Sequence, residues 1–494
     1  MADDVATRIR AAVERATITG APADVAAALT AVTPADVAGL FHSEADRGAA
    51  APIGHGLPAS PGVAAGEIVL DPGAARLAAD AGGSPILVRT ATTAVDTAGM
   101  EVASALLTTT GGLTSHAAIV ARSRGIPAVV GAEAVHIEGD LVRIGDVTLR
   151  SGDTITIDGG TGEIHAGRLT IRTPVPPPEL ATLLGWADQV NDGHVQIRVN
   201  ADTAAAARKG RALGARGVGL CRTERMSLEP GRLGVMQRFI LADDPDVEAA
   251  TLAEMEATLA ADVEALLREV APDPVAVRLL DPPLHEFLPD LVDLTERDGR
   301  GELDDRERAE LVAVRRLHEH NPMLGTRGVR VGVIRPGLYE MQIRALCRAA
   351  ATLDDEGLHP RVEILVPLVF AAEELRLVGG WVDDALDAIG RRELRARVVA
   401  VGAMVETLRA AVTSAALAAH ADVLSFGTND LTQMTYALGR DDTEARVLEA
   451  YRASGIIDAN PFAVLDREGV GALLRVAADG SAGRQPVDRA HGVR

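Results

Sequence analysis

From about residue 195 onward the chain alternates short apolar runs with longer helical stretches, and this alternation is its strongest constraint on fold. The runs are Gln196–Val199, Gly217–Cys221, Val275–Leu280, Val362–Val366, Val398–Met404 and Val423–Phe426. Between them, Glu248–Val270, Met341–Leu353 and Thr407–Ala419 carry apolar residues at helical spacing. Strand and helix in alternation imply a parallel α/β sheet. Repetition over this length predicts a (β/α)8 barrel of the TIM type, left incomplete because only six strands can be placed.

The preceding residues have another texture. Residues 1–50 read as a helical lead-in, with amphipathic pieces at Asp4–Ala16 and Ala21–Ala31 and a helix start at Thr33-Pro34, where Thr33 is the cap. Strand-like runs follow at Glu67–Leu70, Ile86–Arg89, Ala105–Thr109, Val142–Ile144 and Thr154–Ile157, with Ile155–Ile164 forming a strand–turn–strand pattern. These predict a compact mixed domain over residues 51–170. A linker over 171–194, stiffened by Pro174-Val175-Pro176-Pro177-Pro178, then leads to a barrel over 195–494.

Composition excludes several function classes. No apolar run approaches the roughly 20 residues of a membrane span, and the acidic Met1-Ala2-Asp3-Asp4 start has no secretory apolar region. Two cysteines, Cys221 and Cys347, are too few for a disulfide framework, so a reducing cytoplasm is expected. A net charge of -21 argues against nucleic acid or an anionic membrane as partner. Lys209 is the sole lysine, and no Gly-Lys-Ser/Thr exists to form a Walker A loop.

Gly111-Gly112-Leu113-Thr114-Ser115-His116-Ala117-Ala118-Ile119-Val120-Ala121-Arg122 sets one histidine between a glycine turn and an alanine-rich helix. Glycines let a phosphate approach the backbone. Thr114 or Ser115 can cap the helix, and the N–H groups of a helix start favour negative charge. Imidazole, ordinarily near a pKa of about 6.5, is largely neutral at pH 7 and therefore nucleophilic. A lone histidine at a helix start is usually structural. Here, however, the whole segment through Gly125-Ile126-Pro127-Ala128-Val129-Val130-Gly131 resembles the phosphohistidine signature of the PEP-utilising enzymes. The resemblance implies a swivelling domain carrying a phosphoryl group on His116, with Thr114 at the place of a regulatory phosphothreonine.

A second set of polar residues lies where the expected strands end, the place where barrel enzymes assemble their sites. Arg222, Arg278 and Arg327 can clamp an anion by bidentate contacts, and Glu406 with Asp430 can hold Mg²⁺. The blocks Gly219–Met226, Arg278–Pro289 (RLLDPPLHEFLP), Asn321–Arg330 (NPMLGTRGVR) and Ser425–Met434 (SFGTNDLTQM) are similar to the barrel of the pyruvate phosphate dikinase branch. That similarity implies PEP or pyruvate as substrate, bound by the three arginines. It implies Mg²⁺ on Glu406 and Asp430, with substrate contacts from Gly427, Thr428 and Asn429 and a supporting role for Asp281. RLLDPPLHEFLP speaks against PEP synthase. Enzyme I of the sugar phosphotransferase system is excluded because Gly62 and His116 lie 54 positions apart (116 minus 62), too close for its carrier-binding insertion.

The same resemblance leaves an ATP-grasp region and a Cys-Gly-Glu-His-Gly-Gly segment, the family's proton donor, unmatched. Neither Cys221, in the wrong block, nor Cys347, in an apolar helix, replaces that donor. The polar tail Gly483–Arg494 is expected to fray. The first expectation is thus a dikinase-like phosphotransferase that needs a separate ATP-grasp chain for its full reaction and dimerises once its barrel is complete. Two other readings stay open: a non-catalytic phosphocarrier or regulatory subunit, and an inactive truncated remnant.

Overall fold

The computed structural model describes residues 2–46, 50–92, 96–113, 115–191, 193, 195–228, 231–482 and 490–493. Two compact units divide at Val195/Gln196.

In the first unit, helices Ala2–Thr19, Pro22–Thr30, Pro34–Gly39 and Glu179–Asn191 share a small core around Ile9, Val13, Leu40, Leu180 and Leu183. Thr33 caps the third of these in a capping box with Asp36. Where a linker is expected over 171–194, the structure has the 13-residue helix Glu179–Asn191. Leu180 and Leu183, three residues apart, face one side of it and are buried against Ala2–Thr19.

An eight-stranded mixed sheet forms the centre of this unit. Its parallel middle runs Val63–Val69, Pro85–Arg89, Ala105–Thr108, Ala128–Val130. Thr154–Asp158 and Glu163–Ala166 pair antiparallel, matching the expected strand–turn–strand. The histidine helix, His116–Arg124, packs Ala117, Ala118 and Ala121 onto one face of the sheet beside Leu106, Ala128 and Val130.

The second unit is built on a seven-stranded parallel sheet: Val199–Asn200, Val218–Arg222, Pro274–Arg278, Arg361–Val366, Val399–Val405, Val423–Gly427 and Ala490–Val493. Its spatial order equals its chain order, as in a barrel that winds in one sense. The result is a partial, TIM-type parallel sheet. Long helices Pro245–Val270 and Pro336–Asp355 pack against each other and bury Val263, Leu267, Leu346 and Leu353. Two expectations are corrected. Thr407–Ala419 is two short helices, Leu408–Val412 and Ser414–Leu417, interrupted at Thr413, whose hydroxyl bonds back to the Arg409 carbonyl. Of the tail expected to fray, residues 483–489 and 494 lie outside the described residues, and Ala490–Val493 pairs with Val423–Gly427, satisfying N–H and C=O groups of an otherwise open sheet edge.

Candidate active site

His116 opens its helix at the first helical position, with Ser115 as cap accepting the Ala118 N–H at 3.4 Å. Thr114 lies outside the described residues. The preceding turn requires glycine: Gly111 has φ +104°, and a Cβ there would sit 3.0 Å from the Ser115 Cβ. Gly131 has φ +60°, and a Cβ on it would meet the Gly111 carbonyl at 2.8 Å. The imidazole Nδ1 is 3.3 Å from the Thr92 hydroxyl, which anchors one ring nitrogen. Nε2 has no hydrogen-bond partner among the described residues. Thr92 was not legible as a partner, because 24 positions separate it from His116.

In the second unit, the C-terminal ends of four strands converge charged side chains. Arg222 ends one strand and Arg278 the next. Glu406 follows Val399–Val405, and Gly427 ends the strand that leads into the helix Thr428–Tyr436, where Asn429 and Asp430 sit in the first turn. Arg278 pairs with Glu224 and, at 2.9 Å, with Asp281. Arg327 grips both oxygens of Asp281, at 3.2 and 2.6 Å, and reaches Asp430 at 3.2 Å. Burial works against both guanidinium charges, but the surrounding carboxylates prevail and hold Arg278 and Arg327 above the ordinary arginine value. Arg222 differs: burial and then repulsion from Arg278 lower it, and its guanidinium has no hydrogen-bond partner among the described residues.

Glu406 is buried, and neither carboxylate oxygen has a hydrogen-bond partner among the described residues. Burial, then the charges of Asp430 and Asp281, push its carboxyl well above the usual range. Burial likewise raises Asp430 against the pull of Arg327. Gly427 makes this crowding possible, since a Cβ there would lie 2.4 Å from the Glu406 Cγ. Two oxygens of this kind beside a second carboxylate fit a hard divalent cation, which takes one or two protein carboxylates and completes its shell with water and substrate. Among the described residues, no three His, Cys, Asp or Glu side chains are arranged to hold a metal by themselves.

Several supporting residues were not singled out in the sequence. Glu224 neutralises Arg278, and Asp202 accepts the Arg222 backbone N–H at 2.8 Å. Gln342 accepts from both the Leu280 N–H (3.0 Å) and the Thr223 hydroxyl (3.1 Å), tying two strand ends together. An acidic residue three positions past an expected strand was the available signal for Asp202; Gln342 sits mid-helix and left none. Both cysteines are buried, and burial raises their thiols, Cys347 to about 12 and Cys221 well above its ordinary value. No helix among the described residues is long and apolar enough to cross a membrane.

The family model described as PEP-utilising enzyme, PEP-binding domain, matches residues 180–483, and that described as PEP-utilising enzyme, mobile domain, matches residues 83–162. Pyruvate, phosphate dikinase of Rhizobium meliloti (strain 1021) is 41% identical over 458 residues, which cover 92% of this chain and 50% of the relative. Chloroplastic pyruvate, phosphate dikinase 1 of Arabidopsis thaliana is 38% identical over 446 residues, covering 88% and 45%. The Entamoeba histolytica pyruvate, phosphate dikinase is 39% identical over 469 residues, covering 93% and 52%. The chain spans about half the length of these curated relatives.

Proposed function

This chain belongs to the PEP-utilising enzyme family, and on that premise we propose that it moves a phosphoryl group between PEP and His116, releasing or accepting pyruvate. The domain containing residues 51–170 carries the phosphoryl group, and residues 195–494 bind the three-carbon substrate. The observation that carries this reading is Glu406, a buried carboxylate without hydrogen bonds set among Arg278, Arg327 and Asp430. Such a group is costly in an empty site and apt in one that receives a cation and an anionic substrate.

In the forward direction, Nε2 of His116 attacks the phosphorus of PEP, an N–P bond forms, and the ester P–O bond breaks. Arg222, Arg278 and Arg327 hold the carboxylate and phosphate and stabilise charge on the leaving enolate oxygen. Thr92 holds Nδ1, so the ring presents Nε2 as the nucleophile. Glu406 and Asp430 would hold Mg²⁺, which supplies Lewis-acid stabilisation of the enolate when bound. Gly427, Thr428 and Asn429, at the strand end and first helical turn that lead to Asp430, would contact the substrate. Neither buried cysteine is a credible proton donor to the enolate carbon, since burial raises both thiols. Coupling to ATP and phosphate would need an ATP-grasp part.

Incubation with PEP and Mg²⁺ followed by intact-mass measurement tests the reading. An acid-labile phosphoryl adduct on the wild type and none on His116→Ala supports it. Equal labelling of both proteins, or none of either, rejects it.

A further inference from the structure

Arg440 opens the segment after Thr428–Tyr436 and lines a wide cleft with Arg327, Gln433 and Met434. Two contacts hold its guanidinium, and a third bond fixes one of the partners. Its guanidinium lies 5.4 Å above the Phe462 ring and its Nε is 3.5 Å from Glu444, while Asn460 donates to that same Glu444 at 2.7 Å. From there Nη1 donates to Asn429 Oδ1 at 2.7 Å, and the Arg440 backbone N–H donates to Gln433 Oε1 at 2.9 Å.

The chemistry of these donors decides the orientation of two amides. A guanidinium and a backbone N–H have no acceptor, so each requires the amide oxygen to face it. Asn429 must therefore turn its NH₂ away from Arg440, and those hydrogens have no partner among the described residues. Gln433 must likewise turn its NH₂ away, and this group donates to Asp430 Oδ1 at 3.4 Å. We infer that Arg440 is a positioning residue that sets the polarity of Asn429 and Gln433, so that Asn429 offers N–H donors to an anionic substrate and Gln433 offers one to Asp430. Without it, the Asn429 amide is free to flip and present its oxygen to a negative charge. The inference rests on the proposed PEP site and adds a residue to it.

A double-mutant cycle on PEP binding, measured by calorimetry with Mg²⁺ present, separates positioning from general support. Arg440→Met should weaken PEP binding about tenfold in the wild type. In the Asn429→Ala background the same change should cost no more than about twofold, because the amide it orients is gone. Arg440→Lys, whose ammonium also only donates, should stay within about threefold of the wild type. Equal losses from Arg440→Met in both backgrounds overturn the inference while leaving the site intact. If Arg440→Met does not fold, Arg440→Gln enters the same cycle with the same criterion. A wild type that binds no PEP overturns the functional reading and this inference with it.

Discussion

Arg327 and Asp281 form a two-point ion pair, Nη2 to Oδ2 at 2.6 Å and Nε to Oδ1 at 3.2 Å, across 46 residues of chain. The Asp281 backbone carbonyl also accepts the Gly328 N–H at 2.8 Å, so side chain and main chain fix one loop to the next. This leaves the third Arg327 nitrogen directed at Asp430.

Asp281 also pairs with Arg278, so its removal takes one carboxylate from each of two largely buried guanidinium groups, leaving Arg278 with Glu224 and Arg327 with Asp430. Asp281→Ala is expected to cost about 3 kcal/mol of stability, in the range for breaking a buried pair. Chemical denaturation measures this, and a loss below about 1 kcal/mol would place the pair among weak surface contacts.

Glu406 should show the opposite balance. Its folded-state carboxyl lies above its unfolded value, so its favourable contribution is complete below about pH 4 and fades as pH rises through the raised value. Without Mg²⁺, the wild type should lose Tm between about pH 5 and pH 8 more steeply than Glu406→Gln. At pH 7 the variant should be the more stable protein by differential scanning fluorimetry. Millimolar Mg²⁺ should raise Tm only in the wild type.

Gly427→Ala is expected to remove the same function by steric means. The added methyl would sit 2.4 Å from the Glu406 Cγ and 2.7 Å from its Oε1. Because the strand end and the buried Glu406 leave little room to shift, the substitution should cost about 1–3 kcal/mol. Mg²⁺-dependent PEP binding should disappear with it; unchanged binding would show that Glu406 has room to move.

Thr92→Val tests the histidine tautomer. The valine keeps the side-chain shape but removes the hydroxyl 3.3 Å from Nδ1. Labelling of His116 by PEP should slow about tenfold with little change in Tm. An unchanged rate would mean that another group orients the ring.

How far the sequence discloses this arrangement depends on the range of each interaction. Ser115 and Gly111 are readable because capping and left-handed backbone are local requirements, satisfied within a few residues. Arg222, Arg278, Glu406 and Asp430 could be placed because each lies at or just past an apolar run, where a parallel strand must end. The pairing of Arg278 with Glu224 spans 54 positions, and the contact of Thr223 with Gln342 spans 119; no local pattern encodes either. The helix Glu179–Asn191 was hidden behind the proline run before it, although Leu180 and Leu183 already had helical spacing. Ala490–Val493 lacks the apolar pattern of a strand altogether and pairs only because an open sheet edge is present.

The central claim is that His116 takes its phosphoryl group from PEP bound in the arginine site. The most direct measurement follows pyruvate release and phosphohistidine formation together, in one time course, after mixing the wild type with PEP and Mg²⁺. The account predicts one pyruvate per phosphorylated His116, with both signals absent in His116→Ala and strongly reduced in Arg278→Met. Pyruvate release that persists in His116→Ala, or a wild type that forms neither product, would contradict it.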